Sequence, residues 1–213
     1  MRLRRNPEAR NYVGNHDLAI QESQALKLAG RWQSVFTADK PLAIEIGMGQ
    51  GHFLYEKACL DIGFNYIGLE KRAEPIMWLL KDMPQPYPAN LRIVNGDAMH
   101  LTELFAPQEL SMIYLFFPDP WPKSRHAKRR LTAPAFVQEY QRILKPAGQV
   151  VFRTDSAAFF HWSCESFQEA GWGIAKASED WQNKENQPMT YYEKRFRGLG
   201  QPICYAEFVK TKG

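Results

Sequence analysis

Met112-Ile113-Tyr114-Leu115-Phe116-Phe117 is followed at once by Pro118-Asp119-Pro120-Trp121-Pro122-Lys123, and then by Ser124-Arg125-His126-Ala127-Lys128-Arg129-Arg130. Six apolar residues in a row read as a strand covered on both faces, the kind found inside a parallel sheet. Proline ends it, having no N–H for the ladder and a fixed φ. Asp119 therefore stands just past the carboxyl end of a strand, the edge where open α/β sheets bind ligands. Five of the eight residues from Lys123 to Arg130 are Lys or Arg, a density suited to phosphates and not to a core. An acid, a flat aromatic ring and a basic run on one loop point to work on a nucleobase within a polyanion. The bland alternative is a Pro-stiffened turn leading into a solvated, charged helix start.

Outward from this stretch, strand and helix signals alternate. Residues 42–46, 66–69, 91–94, 112–117 and 150–153 read as strands, with two more near 173–177 and 203–209. Residues 21–32, 52–60, 73–81, 135–144 and 157–170 carry helical patterns. Strands alternating with helices predict an α/β fold, a mostly parallel seven-stranded sheet with helices on both faces. The last two strands have no helix between them, which places one antiparallel strand in that sheet. Residues 1–16 are polar and basic without periodicity and read as a flexible arm, leaving 17–213 as a single domain.

Glu45-Ile46-Gly47-Met48-Gly49-Gln50-Gly51 follows the first of these strands and opens a helix. Glycines there let backbone approach a ligand, and the helix start offers unpaired N–H groups. The pattern is GxGxG; His52 stands where a dinucleotide fingerprint has its third glycine. Glu70 closes the next strand nineteen residues after Gly51, where a carboxylate accepts both ribose hydroxyls of NAD or of S-adenosylmethionine alike. Asn95-Gly96-Asp97 ends the third strand, within reach of an adenine amino group. Polar groups at three successive strand ends describe an adenosine with a small charged tail.

The chain has 213 residues, 45% of them hydrophobic, enough for one sizeable core and against wholesale disorder. Its formal charge of +4 does not diagnose a nucleic-acid binder, but the cations are clustered. Arg2, Arg4, Arg5 and Arg10 load the start, Lys123 to Arg130 the central loop, and Lys194, Arg195 and Arg197 a late segment. No apolar run has the length of a membrane span, and the arginine-rich start lacks a signal peptide's apolar segment. Cys59, Cys164 and Cys204 are odd in number and far apart, as expected of reduced thiols in a cytoplasmic protein. The five histidines form no pair at metal-ligand spacing, so no metal is expected.

Pro118-Asp119-Pro120-Trp121 with Lys123, Arg125, His126 and Lys128 to Arg130 resembles the signature of the tRNA (guanine-N7-)-methyltransferase family. The glycine-rich block from Glu45 and Thr190-Tyr191-Tyr192-Glu193 match that family's other two blocks. The resemblance implies a Rossmann-like class I methyltransferase fold with S-adenosylmethionine as methyl donor. It implies tRNA as partner, with N7 of the variable-loop guanine (position 46 in tRNA numbering) as target. Carried over, Glu45, Gly47, Gly49, Gly51, Glu70, Asn95, Asp97 and Asp119 line the cofactor and reaction site. Lys123, Asp155 and Thr190, Tyr191, Tyr192 and Glu193 contact the substrate, and Arg125, His126, Lys128, Arg129 and Arg130 the RNA. A monomer or a homodimer fits these readings equally.

Guanine N7 carries a free in-plane lone pair, so the reaction needs positioning and charge stabilisation and no general base. Asp119 is the first candidate for that catalytic part, with Asp155 and Glu193 in support. Trp121 has two readings, stacking on a flipped base or packing under its own loop. Asp155 and Thr190 also have two, substrate contact or helix N-capping. An exocyclic-amine methyltransferase is the nearest rival, but such enzymes place two prolines between acid and ring, and this loop has one. A non-catalytic RNA-binding relative would leave the cofactor acids free to drift, and all of them stand.

Overall fold

The computed structural model describes residues 6–183 and 187–211. In chain order the elements are α1 (Pro7–Gly14), β1 (Ala19–Gln21), α2 (Glu22–Ala25), β2 (Leu42–Ile46), α3 (His52–Leu60) and β3 (Asn65–Glu70). They continue with α4 (Ala73–Asp82), β4 (Leu91–Asn95), α5 (Leu101–Leu104), β5 (Leu110–Phe116), α6 (Pro134–Ile143) and β6 (Leu144–Thr154). The last four are α7 (Ala157–Glu169), β7 (Trp172–Ser178), α8 (Tyr191–Gly198) and β8 (Cys204–Lys210).

One sheet runs in the order β1-β4-β3-β2-β5-β6-β8-β7. Every neighbouring pair is parallel except β6 with β8 and β7 with β8, so β8 alone is antiparallel. The chain winds outward from β2 to β3 and β4, then returns to β5 on the other side of β2. That reversal opens a crevice between the carboxyl ends of β2 and β5. Alternation along each strand divides the core in two. Ile44, Ile46, Ile113, Leu115 and Phe152 pack on one face with α6 and α7. Ala43, Tyr66, Phe116, Val151 and Tyr205 pack on the other with α1, α3, α4 and Trp181. By the same alternation Glu45 and Arg153 are the charged residues that β2 and β6 turn toward this second face.

Three expectations need correcting. The sheet has eight strands and not seven, because Ala19–Gln21 adds a short parallel edge strand to β4. The 21–32 helical pattern resolves into α2 followed by 3₁₀ turns at Leu26–Leu28 and Trp32–Val35. Gly30 at φ 75° interrupts any continuous helix there, and Trp32 is buried against Phe105 with its indole N–H on the Leu104 carbonyl, 2.8 Å. Its apolar spacing therefore reported burial and not helix. The described part of the N-terminal stretch is a helix: Asn6 caps it, Pro7 opens it, and Ala9 and Val13, four apart, are fully buried beside α4. Asn6 also donates its backbone N–H to Glu74 on α4, 2.9 Å. Arg2, Arg4 and Arg5 lie outside the described residues. Among the described residues no helix is long and apolar enough to cross a membrane.

Candidate active site

The loop after β2 turns on Gly47, Gly49 and Gly51, all left-handed, at φ 74°, 56° and 63°. A Cβ at Gly51 would also stand 2.6 Å from Leu79 Cδ2, so the leucine end would have to shift on top of the left-handed strain. Glu70, at the end of β3, accepts the Gly49 N–H at 3.1 Å and the Arg72 N–H at 2.9 Å, bracing this loop. Burial holds its pKa above the ordinary carboxylate value. Asn95 donates to the carbonyls of Glu70 and Lys71, tying the ends of β3 and β4 together. Asp97 caps the turn Ala98–His100 and pairs with Lys71. Burial works against its charge, but the Lys71 ammonium and the Met99 N–H outweigh it and keep the pKa low.

A cavity of about 180 Å³ lies between the glycine loop, Pro75 and Trp78 of α4, Phe116 and Phe117, and Thr190 to Tyr192. Glu45 lines it, only 2% exposed, and its Oε2 has no hydrogen-bond partner among the described residues. Burial pushes this carboxyl up to about 8, against the Arg153 guanidinium and helped by the Glu70 carboxylate. No cluster of three or more His, Cys, Asp or Glu among the described residues could hold a metal ion.

Across the crevice, Phe117 and Trp121 bracket the Pro118-Asp119-Pro120 turn, both left-handed at φ 50° and 41°. Such a conformation costs an L-residue about 1–2 kcal/mol, so the surroundings must hold it. Phe117 N–H donates to the Arg153 carbonyl at 2.8 Å. Arg130 donates to the carbonyls of Pro120 (2.9 Å) and Trp121 (3.2 Å) and lies over the Trp162 ring, 4.2 Å from its centroid. Arg130 thus braces the loop from inside. Trp121 is half-buried between Arg129 over its ring, at 5.1 Å, and His126 against it, at 5.6 Å. That geometry favours packing within its own loop. Ser124–Arg129 forms 3₁₀ turns on which Lys123, Arg125, Lys128 and Arg129 stay exposed, as does Asp119.

Asp155 is exposed at the end of β6, and the cap of α7 is Ser156, whose side chain accepts the Phe159 N–H. Thr190 is itself a cap, accepting the Glu193 N–H at 3.0 Å, and also lines the cavity. Tyr191 and Tyr192 are 54% and 50% exposed at its edge. Glu193 is fully buried, with its oxygens on Arg153 (2.9 Å) and Arg197 (3.0 Å). Arg153, Phe117 and Trp181 escaped the sequence reading. A lone arginine in the otherwise apolar run Val150-Val151-Phe152-Arg153 was the available signal for the first.

A glycine loop, strand-end acids and a cavity at the reversal of a parallel sheet with one antiparallel strand define a class I methyltransferase fold. The solved structures agree. This chain superposes on the 16S rRNA methyltransferase KamB with a TM-score of 0.66 at 12% identity, covering 85% of this chain and 94% of that one. An antibiotic-related methyltransferase superposes with a TM-score of 0.63 at 18% identity, covering 84% and 92%. The family described as "Putative methyltransferase" matches residues 39–206. A protein of Bacillus subtilis named tRNA (guanine-N(7)-)-methyltransferase is 39% identical over 210 residues, covering 97% of this chain and 98% of its own. One of the same name from Lachnoclostridium phytofermentans is 38% identical over 206 residues, covering 95% of each. The chain belongs to the tRNA (guanine-N(7)-)-methyltransferase family.

Proposed function

We propose that this chain transfers a methyl group from S-adenosylmethionine to N7 of a guanine in the tRNA variable loop. The observation that carries the reading is Glu45, a buried carboxyl with an unpartnered oxygen in a cavity between a glycine loop and an aromatic helix end. Buried polar atoms are normally satisfied, and a ligand ammonium would complete this one. When bound, S-adenosylmethionine supplies an electrophilic methyl group on a sulfonium sulfur. The residues fit it. Glu45 and the N–H groups of the glycine loop suit an amino-acid end. Glu70, besides bracing the Gly49 and Arg72 N–H groups, keeps acceptor capacity for a ribose hydroxyl. Asn95 and Asp97 stand at the next strand end for an adenine edge.

Guanine N7 needs no deprotonation, so the protein's part is placement and charge. Asp119 accepts from guanine N1–H and its amino group and faces the positive charge that develops on the ring. Lys123, four residues further along the loop, and Asp155, just past the end of β6, add further substrate contacts in this reading. The exposed faces of Tyr191 and Tyr192 offer stacking to a base turned out of the RNA. Arg125, Lys128 and Arg129 meet phosphates, while Arg130 and His126 hold the loop that carries Asp119.

Mass spectrometry of unmodified tRNA incubated with the protein and S-adenosylmethionine tests the reading. It predicts the gain of one methyl group on a guanine, dependent on both components. Unmethylated tRNA, in a preparation that binds the cofactor one to one by calorimetry, refutes it.

A further inference from the structure

Helix α8 carries Tyr191 and Tyr192 to the edge of the cavity, yet almost nothing apolar holds it down. Glu193 is the one residue of α8 that is buried, and it is a charge. Phe196, half-buried, rests on Phe117 at 5.7 Å. Tyr192, four residues before it, meets the same ring at 6.3 Å, and one aromatic pair on an eight-residue helix is a small anchor for fixing its seat on a sheet. Its seat is set by Arg153.

Arg153 lies in the second core face, wholly buried, in register with Phe116 on β5 and Tyr205 on β8. Its guanidinium is clamped between the rings of Trp181 (4.1 Å) and Phe116 (4.3 Å). One arm donates to Glu193 at 2.9 Å and the other to Gln187 at 2.7 Å, just before the helix. Glu193 in turn takes Arg197 at 3.0 Å, and Arg197 reaches the Trp181 carbonyl at 2.9 Å. The backbone carbonyl of Arg153 meanwhile fixes Phe117, the residue that starts the Asp119 loop. Two sides of the cavity, Phe117 and α8, therefore hang on one residue. A buried ion pair of this kind is a poor source of stability, because desolvation offsets most of the attraction. What a planar fork held at four sides does provide is direction.

We infer that Arg153 is a positioning residue, one that fixes the height and tilt of α8 so that Tyr191 and Tyr192 receive the target base opposite Asp119. The inference rests on the methyltransferase reading above. It assigns Glu193 to the same device, as the carboxylate that Arg153 grips and not as a contact to RNA.

The test compares the full-length wild type with Arg153→Lys, Arg153→Met and Glu193→Gln, each normalised to the fraction that binds S-adenosylmethionine by calorimetry. At saturating tRNA the expected result is a graded fall in kcat. Arg153→Met should lose at least tenfold, and Arg153→Lys, which keeps the charge but not the fork, should lose less. Cofactor Kd for Arg153→Lys and Glu193→Gln should stay within threefold. Hydrogen exchange should speed up in residues 191–198 and not in β2, β3 or β5. If Arg153→Met does not fold, Glu193→Gln decides, since it keeps the shape and removes only the gripped charge. An unchanged kcat in the normalised Glu193→Gln and Arg153→Lys proteins overturns the inference, as does unchanged exchange in α8. Wild type that methylates no tRNA overturns the reading beneath it instead, so the two failures are distinguishable.

Discussion

Replacing Glu45 with glutamine removes an ionisable group while keeping its shape, and it should stabilise the ligand-free protein at neutral and higher pH. Burial raises this carboxyl from its ordinary value of 4.5 to about 8, although Arg153 opposes the shift. A raised acid binds its proton more tightly in the folded state, so its stabilising contribution is complete below pH 4.5 and is lost as pH climbs toward 8. The whole interval corresponds to about 5 kcal/mol at roughly 1.4 kcal/mol per pH unit. Urea unfolding of both proteins without cofactor at pH 5, 6.5 and 8 reads the effect, because groups that do not interact with Glu45 titrate alike in both and cancel. Wild type should lose several kcal/mol relative to Glu45→Gln across that range, while the variant loses most of its cofactor affinity. Stability differences constant to within about 0.5 kcal/mol across the series would mean that Glu45 is not held neutral in the folded protein. On the proposed reading, the protein tolerates a buried carboxyl with one unpartnered oxygen because that partner arrives with the ligand.

Three further outcomes follow from the same geometry. Glu70→Ala should weaken cofactor binding by about 1.5–3 kcal/mol through lost bonds to a charged group, and wild-type affinity by calorimetry would remove it from the cofactor site. Arg125→Ala combined with Lys128→Ala should flatten the dependence of log tRNA affinity on log salt by about 1.4–1.8, whereas parallel lines would show that these cations merely face water. Asp119→Ala should cut kcat strongly with little change in cofactor Kd, and an unchanged kcat at saturating tRNA would deny it the catalytic part.

Much of the frame was legible because the buried strands and long helices announce themselves by period and by their stops. The strand before Gly47, the helix from His52 to Leu60 and the place of Glu70 at the end of a strand stand as read. What was not legible depends on contacts distant in the chain. Helix α1 shows only Ala9 and Val13 as apolar anchors in a polar run, and their meaning appears once α4 lies beside them. Helix α8 misleads pattern reading because its one buried residue is a charge, Glu193, whose partner sits forty residues away on β6. Arg130 read as one more cation in a basic run, yet the carbonyls of Pro120 and Trp121 turn it into a brace. The choice between Asp155 and Ser156 as cap is a matter of one residue's register, below what pattern alone resolves.

The central claim is the atom that receives the methyl group. Guanine methylated at N7 carries a positive imidazole ring that reduction and aniline treatment open, cutting the strand at that nucleotide. Unmodified tRNA treated with the protein and S-adenosylmethionine, then reduced and exposed to aniline, should be cut at one guanine of the variable loop. Omitting the cofactor, or using Asp119→Ala, should leave the strand whole. Methyl-labelled tRNA that resists scission would place the group on another atom and contradict the account.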